Sequence, residues 1–268
     1  MVGMSSDRSR TLRREPINRN PKMNNRNIMR IRSALCGMLV LPALVAAADG
    51  DTLAEAEKVI IERYAKVRSC AAVITTIETA EPGDGSTAKA EIKRRVEWTR
   101  KDDGFLYRAD STARTTHTYG DKSTTEETTA TTVSDSVHVV TISDRRGEKT
   151  ATKRKADVTN TPDIRAMLDE LRKDQVLKRL PDVIVGHDDC YAIQVVPKNR
   201  EGSDINHTMI YFRKDIGLDV RTVVYDKNNK PIYTSTTTDI RLNPDLSPDR
   251  FVVVLPDGVK LVDLTGRP

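Results

Sequence analysis

Along residues 52–69 the apolar positions Val59, Ile60, Tyr64 and Val67 recur at the spacing of one helix face. Thr52 stands just ahead of Leu53-Ala54-Glu55-Ala56-Glu57, where a hydroxyl can accept a backbone N–H of the first turn. The period then drops to two. Val73, Thr75 and Ile77 fall on one side of an expected strand that stops at Pro82-Gly83-Asp84-Gly85. Further strands are predicted over 90–99, 105–118, 127–134 and 137–143, the last two joined by Ser134-Asp135-Ser136. Thr and Ser dominate these runs, and β-branched residues at strand spacing favour sheet over a disordered tract. Asn160-Thr161-Pro162-Asp163 announces a second helix. Its expected stripe is Ile164, Met167, Leu168 and Leu171, continuing through Val176, Leu177 and Leu180 to a stop at Pro181. A strand over 191–196 leads into a β-meander, with turns at Lys214-Asp215-Ile216-Gly217 and Asp226-Lys227-Asn228-Asn229. A fourth short strand is predicted from Phe251 to Pro256-Asp257-Gly258.

Mostly antiparallel strands with two helices make the class α+β. No period repeats and no long linker divides residues 49–268, so they are expected to form one domain. Two helices cannot cover a large flat sheet. Curling resolves this, and the expected architecture is a strongly curved, half-open antiparallel β-barrel covered by two or more helices.

Charge changes the picture at one end only. The 268 residues carry a formal net charge of +5. Residues 1–48 hold eight Arg and one Lys against Asp7 and Glu15, which leaves the remainder slightly acidic. No basic stripe interleaved with aromatics remains, so nucleic acid is not an expected partner. Arg26, Arg30 and Arg32 precede an apolar run over 34–45, and Ala46-Ala47-Ala48 follows. That order is a cleaved export signal over 23–48, with maturation near Asp49; residues 1–22 are an extension of uncertain start. Cys36 lies inside the apolar run and is a poor site for lipidation. Cys70 and Cys190 are left in an oxidising compartment, as a candidate disulfide or as two separately buried thiols.

The motifs of enzyme chemistry are missing. There is no nucleophile elbow, HExxH, P-loop or dinucleotide-binding glycine pattern. His187-Asp188-Asp189-Cys190 runs toward a strand, where successive side chains point apart, so a solvated turn is expected there and no metal site. No cofactor is implied.

Three segments resemble the LolA-type lipoprotein-carrier family. They are Trp98-Thr99-Arg100-Lys101-Asp102, then Thr132-Val133-Ser134-Asp135-Ser136-Val137, then Phe251-Val252-Val253-Val254-Leu255-Pro256-Asp257-Gly258-Val259. The order of helices is similar too, and the resemblance spans most of 51–263. It implies a lipid-binding scaffold in the periplasm. It also implies a basic residue that latches a helical lid by hydrogen bonds to lid backbone. That position falls on Lys101, with Arg100 beside it, and Asp102 replaces the family's proline.

The expected function is therefore non-enzymatic shielding of lipoprotein acyl chains, or of another apolar ligand, during transfer to the outer membrane. Candidate cavity residues, chosen by alternation, are Trp98, Tyr107, Ile193, Val195, Ile210, Phe212 and Val223. The alternative is an envelope sensor on the same scaffold that binds an inner- or outer-membrane partner protein. An aromatic content of 4% suits that second reading, since an acyl cavity is usually apolar and partly aromatic.

Overall fold

The computed structural model describes residues 52–81, 85–102, 104–156 and 163–266. The leader, its cleavage site, Cys36 and residues 160–162 lie outside them. Helix α1, Leu53–Tyr64, begins with the expected cap. Thr52 Oγ1 accepts the Glu55 N–H at 3.3 Å, and Glu55 Oε2 accepts the Thr52 N–H at 2.5 Å. Two donors that a helix start leaves open are thus satisfied reciprocally.

A meander of six strands follows: β1 Ser69–Ala80, β2 Ser86–Lys101, β3 Gly104–Tyr119, β4 Lys122–Ser134, β5 His138–Arg145 and β6 Glu148–Lys155. Helix α2, Ile164–Asp174, bridges to a second meander. That comprises β7 Gln175–Val185, β8 Asp188–Pro197, β9 Ile205–Arg213, β10 Asp219–Asp226 and β11 Pro231–Leu242. β1 and β11 pair antiparallel and join the two meanders into one sheet. β12, Leu261–Asp263, adds to the far edge parallel to β6. The order is β12-β6-β5-β4-β3-β2-β1-β11-β10-β9-β8-β7.

The strands form one open twelve-stranded sheet whose two end strands, β12 and β7, do not pair with each other, in keeping with the expected half-open form. It is mixed, through β12, and two α-helices are found among the described residues.

Three local expectations also change. Helix α2 ends at Asp174, because Gln175 turns extended (φ −129°, ψ 154°) and the rest of the expected helix is β7. Val176, Leu177 and Leu180 keep a helix spacing, but in the strand Leu177 packs on the core and Val176 is exposed. Pro181 sits where the β7–β8 register skips from Leu180 to Val183, on an edge strand, where its missing N–H is tolerated. The Phe251 segment is a 3₁₀ turn, Pro248–Phe251, followed by unpaired extended chain. β6 gave no apolar signal. Seven of its eight residues are Lys, Arg, Glu or Thr, and Ala151 alone is buried.

The main core lies between the helices and strands β1, β2, β3, β8 and β9. It includes Ala56, Ile60 and Tyr64 of α1, Leu168 of α2, Ala72, Val96, Trp98, Ile193 and Phe212. One close approach fixes how α1 sits. The β9–β10 turn carries Gly217 at φ +68°, and a Cβ there would lie 2.2 Å from the Ile60 carbonyl oxygen and 2.9 Å from the Tyr64 nitrogen. Helix backbone cannot move aside locally. Gly217→Ala is expected to destabilise the protein by about 2–5 kcal/mol, combining left-handed strain with overpacking. Urea denaturation of both proteins measures it.

Candidate functional site

The sequence around Trp98 builds the site. Cys70 pairs across strands with Trp98, and Trp98 with Tyr107, so these side chains share the helix-bearing face. Trp98 is 4% exposed. Its ring meets Phe105 edge-on at 5.6 Å and Tyr64 at a tilt, also at 5.6 Å. Arg100 completes the cluster. Its guanidinium lies 4.8 Å from the Phe105 ring centre and 5.1 Å from that of Tyr64. Arg100 Nε donates to the Val67 carbonyl at 2.8 Å and Nη2 to the Tyr64 carbonyl at 3.3 Å. Those carbonyls lie at the last residue of α1 and in the turn just beyond it, where a cation is favoured.

These contacts fall to Arg100 and not to Lys101. Lys101 is exposed, without a hydrogen-bond or ion-pair partner among the described residues. Residues 100 and 101 point to opposite faces, so only one can reach the helix. A second tie comes from α2, whose Arg172 pairs with the buried carboxylate of Glu57 on α1. The α2 C-terminus is closed by Lys198 Nζ, which donates to the Arg172 and Lys173 carbonyls at 2.7 and 3.1 Å.

The proposed lining residues divide. Trp98, Ile193, Val195, Ile210 and Phe212 are all buried in the main cluster, and Tyr107 packs against it. Val223 does not join them. It pairs with Met209 and Thr234, while Ile210 pairs with Thr222, which places Val223 on the opposite face. The register slips by one residue between Asp219 and Arg221, and such a slip inverts a strand's alternation.

Of the two states left open for Cys70 and Cys190, the structure has the separately buried thiols. Both are free and buried, Cys70 in the main cluster and Cys190 in a smaller one with Val185 and Val220. Burial pushes both thiols up to about 12, which makes them poor nucleophiles. The His187–Cys190 run is taken up by ion pairs. Asp188 faces Arg213 at 3.4 Å and Asp189 faces Lys214 at 3.0 Å. Among the described residues, no group of three His, Cys, Asp or Glu could hold a metal ion.

Sequence reasoning missed Asp219. It opens β10 opposite Phe212, inside the apolar cluster. Burial raises its carboxyl to about 7, against only its own backbone N–H. The signal was an acid next to a turn, which usually means a solvated one. The far half of the same face holds the Thr- and Ser-rich runs. Beyond Val96 and Ala109 the rows turn to Thr132, Thr141 and Thr152, and to Ser111, Ala130 and Ser143.

On the other face, the chain after β11 crosses the sheet. Asn243 Oδ1 accepts the Arg68 N–H at 2.7 Å, and Arg250 makes a two-pronged pair with Glu97 at 2.6 and 2.8 Å. A groove of about 540 Å³ beside this segment is lined by Lys93, Arg95, Asp110, Thr129, Lys149 and Pro256.

Two outcomes follow from this geometry. Arg100→Ala removes both carbonyl bonds and the ring contacts. It should cost about 1–3 kcal/mol and speed amide exchange in α1, while Lys101→Ala leaves both unchanged; hydrogen exchange read by mass spectrometry checks this. For Asp219 the folded pKa is raised, so the folded state holds a proton that the unfolded chain releases. Stability is then greatest below pH 4 for this group and falls by at most about 4 kcal/mol as pH rises toward 7. Asp219→Asn should flatten that slope in denaturation curves taken from pH 4 to 8.

No protein-family description matches the sequence, and no curated protein matches it. Solved structures do. A chain of the Pseudomonas aeruginosa MucA/MucB complex overlaps 74% of this chain and 61% of its own length, at 14% identity and a TM-score of 0.41. This chain thus spans about six tenths of the MucB chains it matches. An uncharacterised conserved protein of Thermus thermophilus is covered over 98% of its length by 77% of this chain, at 10% identity and a TM-score of 0.45. A LolA superfamily protein of Nitrosomonas europaea is covered over 99% by 76% of this chain, at 10% identity and a TM-score of 0.30. The chain is similar in part to LolA superfamily proteins and to MucB.

Proposed function

We propose that the chain is an exported, non-enzymatic binding module of the bacterial envelope, and that it shelters acyl chains of lipoproteins between its sheet and helix α1. The observation that carries this is how α1 is held. An apolar face comprising Ala56, Ile60 and Tyr64 lies on Trp98, Ile193 and Phe212. Side-chain hydrogen bonds at its C-terminal end come from Arg100, and one ion pair ties its first half to α2. Such contacts are individually worth about 1 kcal/mol and can be exchanged, whereas the apolar face must always be covered by something. An acyl chain is a fitting substitute, since each buried methylene contributes about 0.8 kcal/mol. Lifting α1 at the Arg100 end would open the cluster along Trp98.

The second reading is an interaction protein that binds a membrane partner. Its support is the extended segment after the 3₁₀ turn, where Val252 and Val254 are 55% and 78% exposed.

Trp98 is the single tryptophan, so its fluorescence reports on this cluster alone. A fatty acid brominated along its chain should quench Trp98 saturably, and Arg100→Ala should speed both entry and release. Trp98 emission that stays unquenched at every lipid concentration would sink the carrier reading and leave partner binding in its place.

A further inference from the structure

On the helix-bearing face, the strands that carry the apolar cluster run on into a row of buried polar groups. Moving along β2, Trp98 and Val96 are followed on that face by Arg94. Arg94 pairs across to Ile74, which pairs with Thr237, and on its other side to Ser111. One row further on, Thr76 pairs with Ser235, and Ser235 with Thr222. Thr76 and Ser235 are fully buried, with their hydroxyl oxygens 3.2 Å apart. The row after that places Tyr233 opposite Glu78.

Two of these groups have unused capacity. The buried Thr237 Oγ1 has no hydrogen-bond partner among the described residues, and the hydroxyl of Tyr233, 3% exposed, meets only the Ser235 and Thr76 hydroxyls in poor geometry. Burying a hydroxyl without a partner costs about 1–3 kcal/mol, so such groups mark places where a ligand atom is wanted. The guanidinium of Arg94 also has capacity left over. Its hydrogen bond to Thr76 Oγ1 is long, 3.5 Å, and a guanidinium has five N–H groups to offer. It lies close enough to Tyr107 and Tyr233 to pull both phenols down against the rise that burial imposes. A cation among buried hydroxyls is a setting for an anion.

Resting on the carrier reading, we propose that this row is the headgroup site of an anionic acyl amphiphile. Arg94 supplies the counter-charge, and Tyr233, Thr237, Thr76 and Ser235 the hydroxyl donors. The chain would lie over Val96 and Trp98. Alternate residues of a strand are about 7 Å apart, so head and chain positions adjoin. Carboxylate and phosphate share the required chemistry, since each presents several oxygens to a guanidinium. Glu78 faces the same space and sets the opposing term, because its charge disfavours an anion.

The test compares a fatty acid, a lysophosphatidic acid and a monoacylglycerol of one chain length, each displacing a fluorescent acyl probe from the full chain. An anionic head should bind about tenfold tighter than the neutral one or better, the scale of one charge-assisted contact. The tighter of the two anions names the natural head. In folded protein Arg94→Gln should erase the preference and Glu78→Gln should enlarge it. Tyr233→Phe keeps the ring and the charge, so it should shrink the preference even if Arg94→Gln does not fold. Equal affinity for charged and neutral lipids would overturn the headgroup site and leave the carrier reading standing. A preference that survives Arg94→Gln would overturn the assignment to Arg94. No binding of any of the three would overturn both.

Discussion

The structure depends on a mismatch of area. Helices of 12 and 11 residues are about 16–18 Å long, while eleven strand spacings make a sheet about 50 Å wide. No arrangement of two such helices covers that face. The face therefore divides by chemistry. Under the helices it is Trp98, Val96, Ile193 and Phe212; beyond them it is threonine, serine and alanine. Threonine solves the uncovered part, because it keeps a β-branched shape for the pleat and carries its own hydrogen-bonding group. The Thr-rich composition is thus a consequence of the architecture.

How α1 is seated follows from the same constraint. The helix is short, so its hold comes from a few particular contacts. Gly217 lets a turn press against helix backbone that a side chain would push away. Arg100 closes the C-terminal carbonyls from below, and Glu57 reaches α2. Asp219, next to that turn, is an acid kept among apolar groups, close enough to the Tyr64 phenol to raise its pKa further. Each element that positions α1 is either a close backbone approach or a polar bond at an edge, with greasy packing between.

Much of this was readable in the residues, and for definable reasons. Thr52 as a cap announced α1, and Lys214 to Gly217 announced the turn, because caps and tight turns are local chemistry. The α2–β7 boundary was hidden because Val176, Leu177 and Leu180 continue the helix spacing without a break. Only the pairing of β7 with β8 reveals the strand. Val223 went to the wrong face for a similar reason, a bulge that no single strand reveals. Arg100 and Lys101 were indistinguishable as neighbours in sequence, and the pleat separated them. Asp219 and the Arg94 row were invisible, since their character comes from strands distant in sequence.

The pairing of β1 with β11 carries a consequence in time. Cys70 sits opposite Leu242, and Thr76 opposite Ser235. These partners are separated by most of the domain, so the seam is a contact of very high sequence separation. The first meander is complete, hairpin by hairpin, before the strand that must cover its β1 edge has been made. Until then β1 presents open backbone amides and an apolar flank, the surface on which extended chains join nonspecifically. Folding of this protein is therefore held up at its last long strand, and the interval before β11 arrives is when the chain is most exposed to aggregation and most in need of a holding partner.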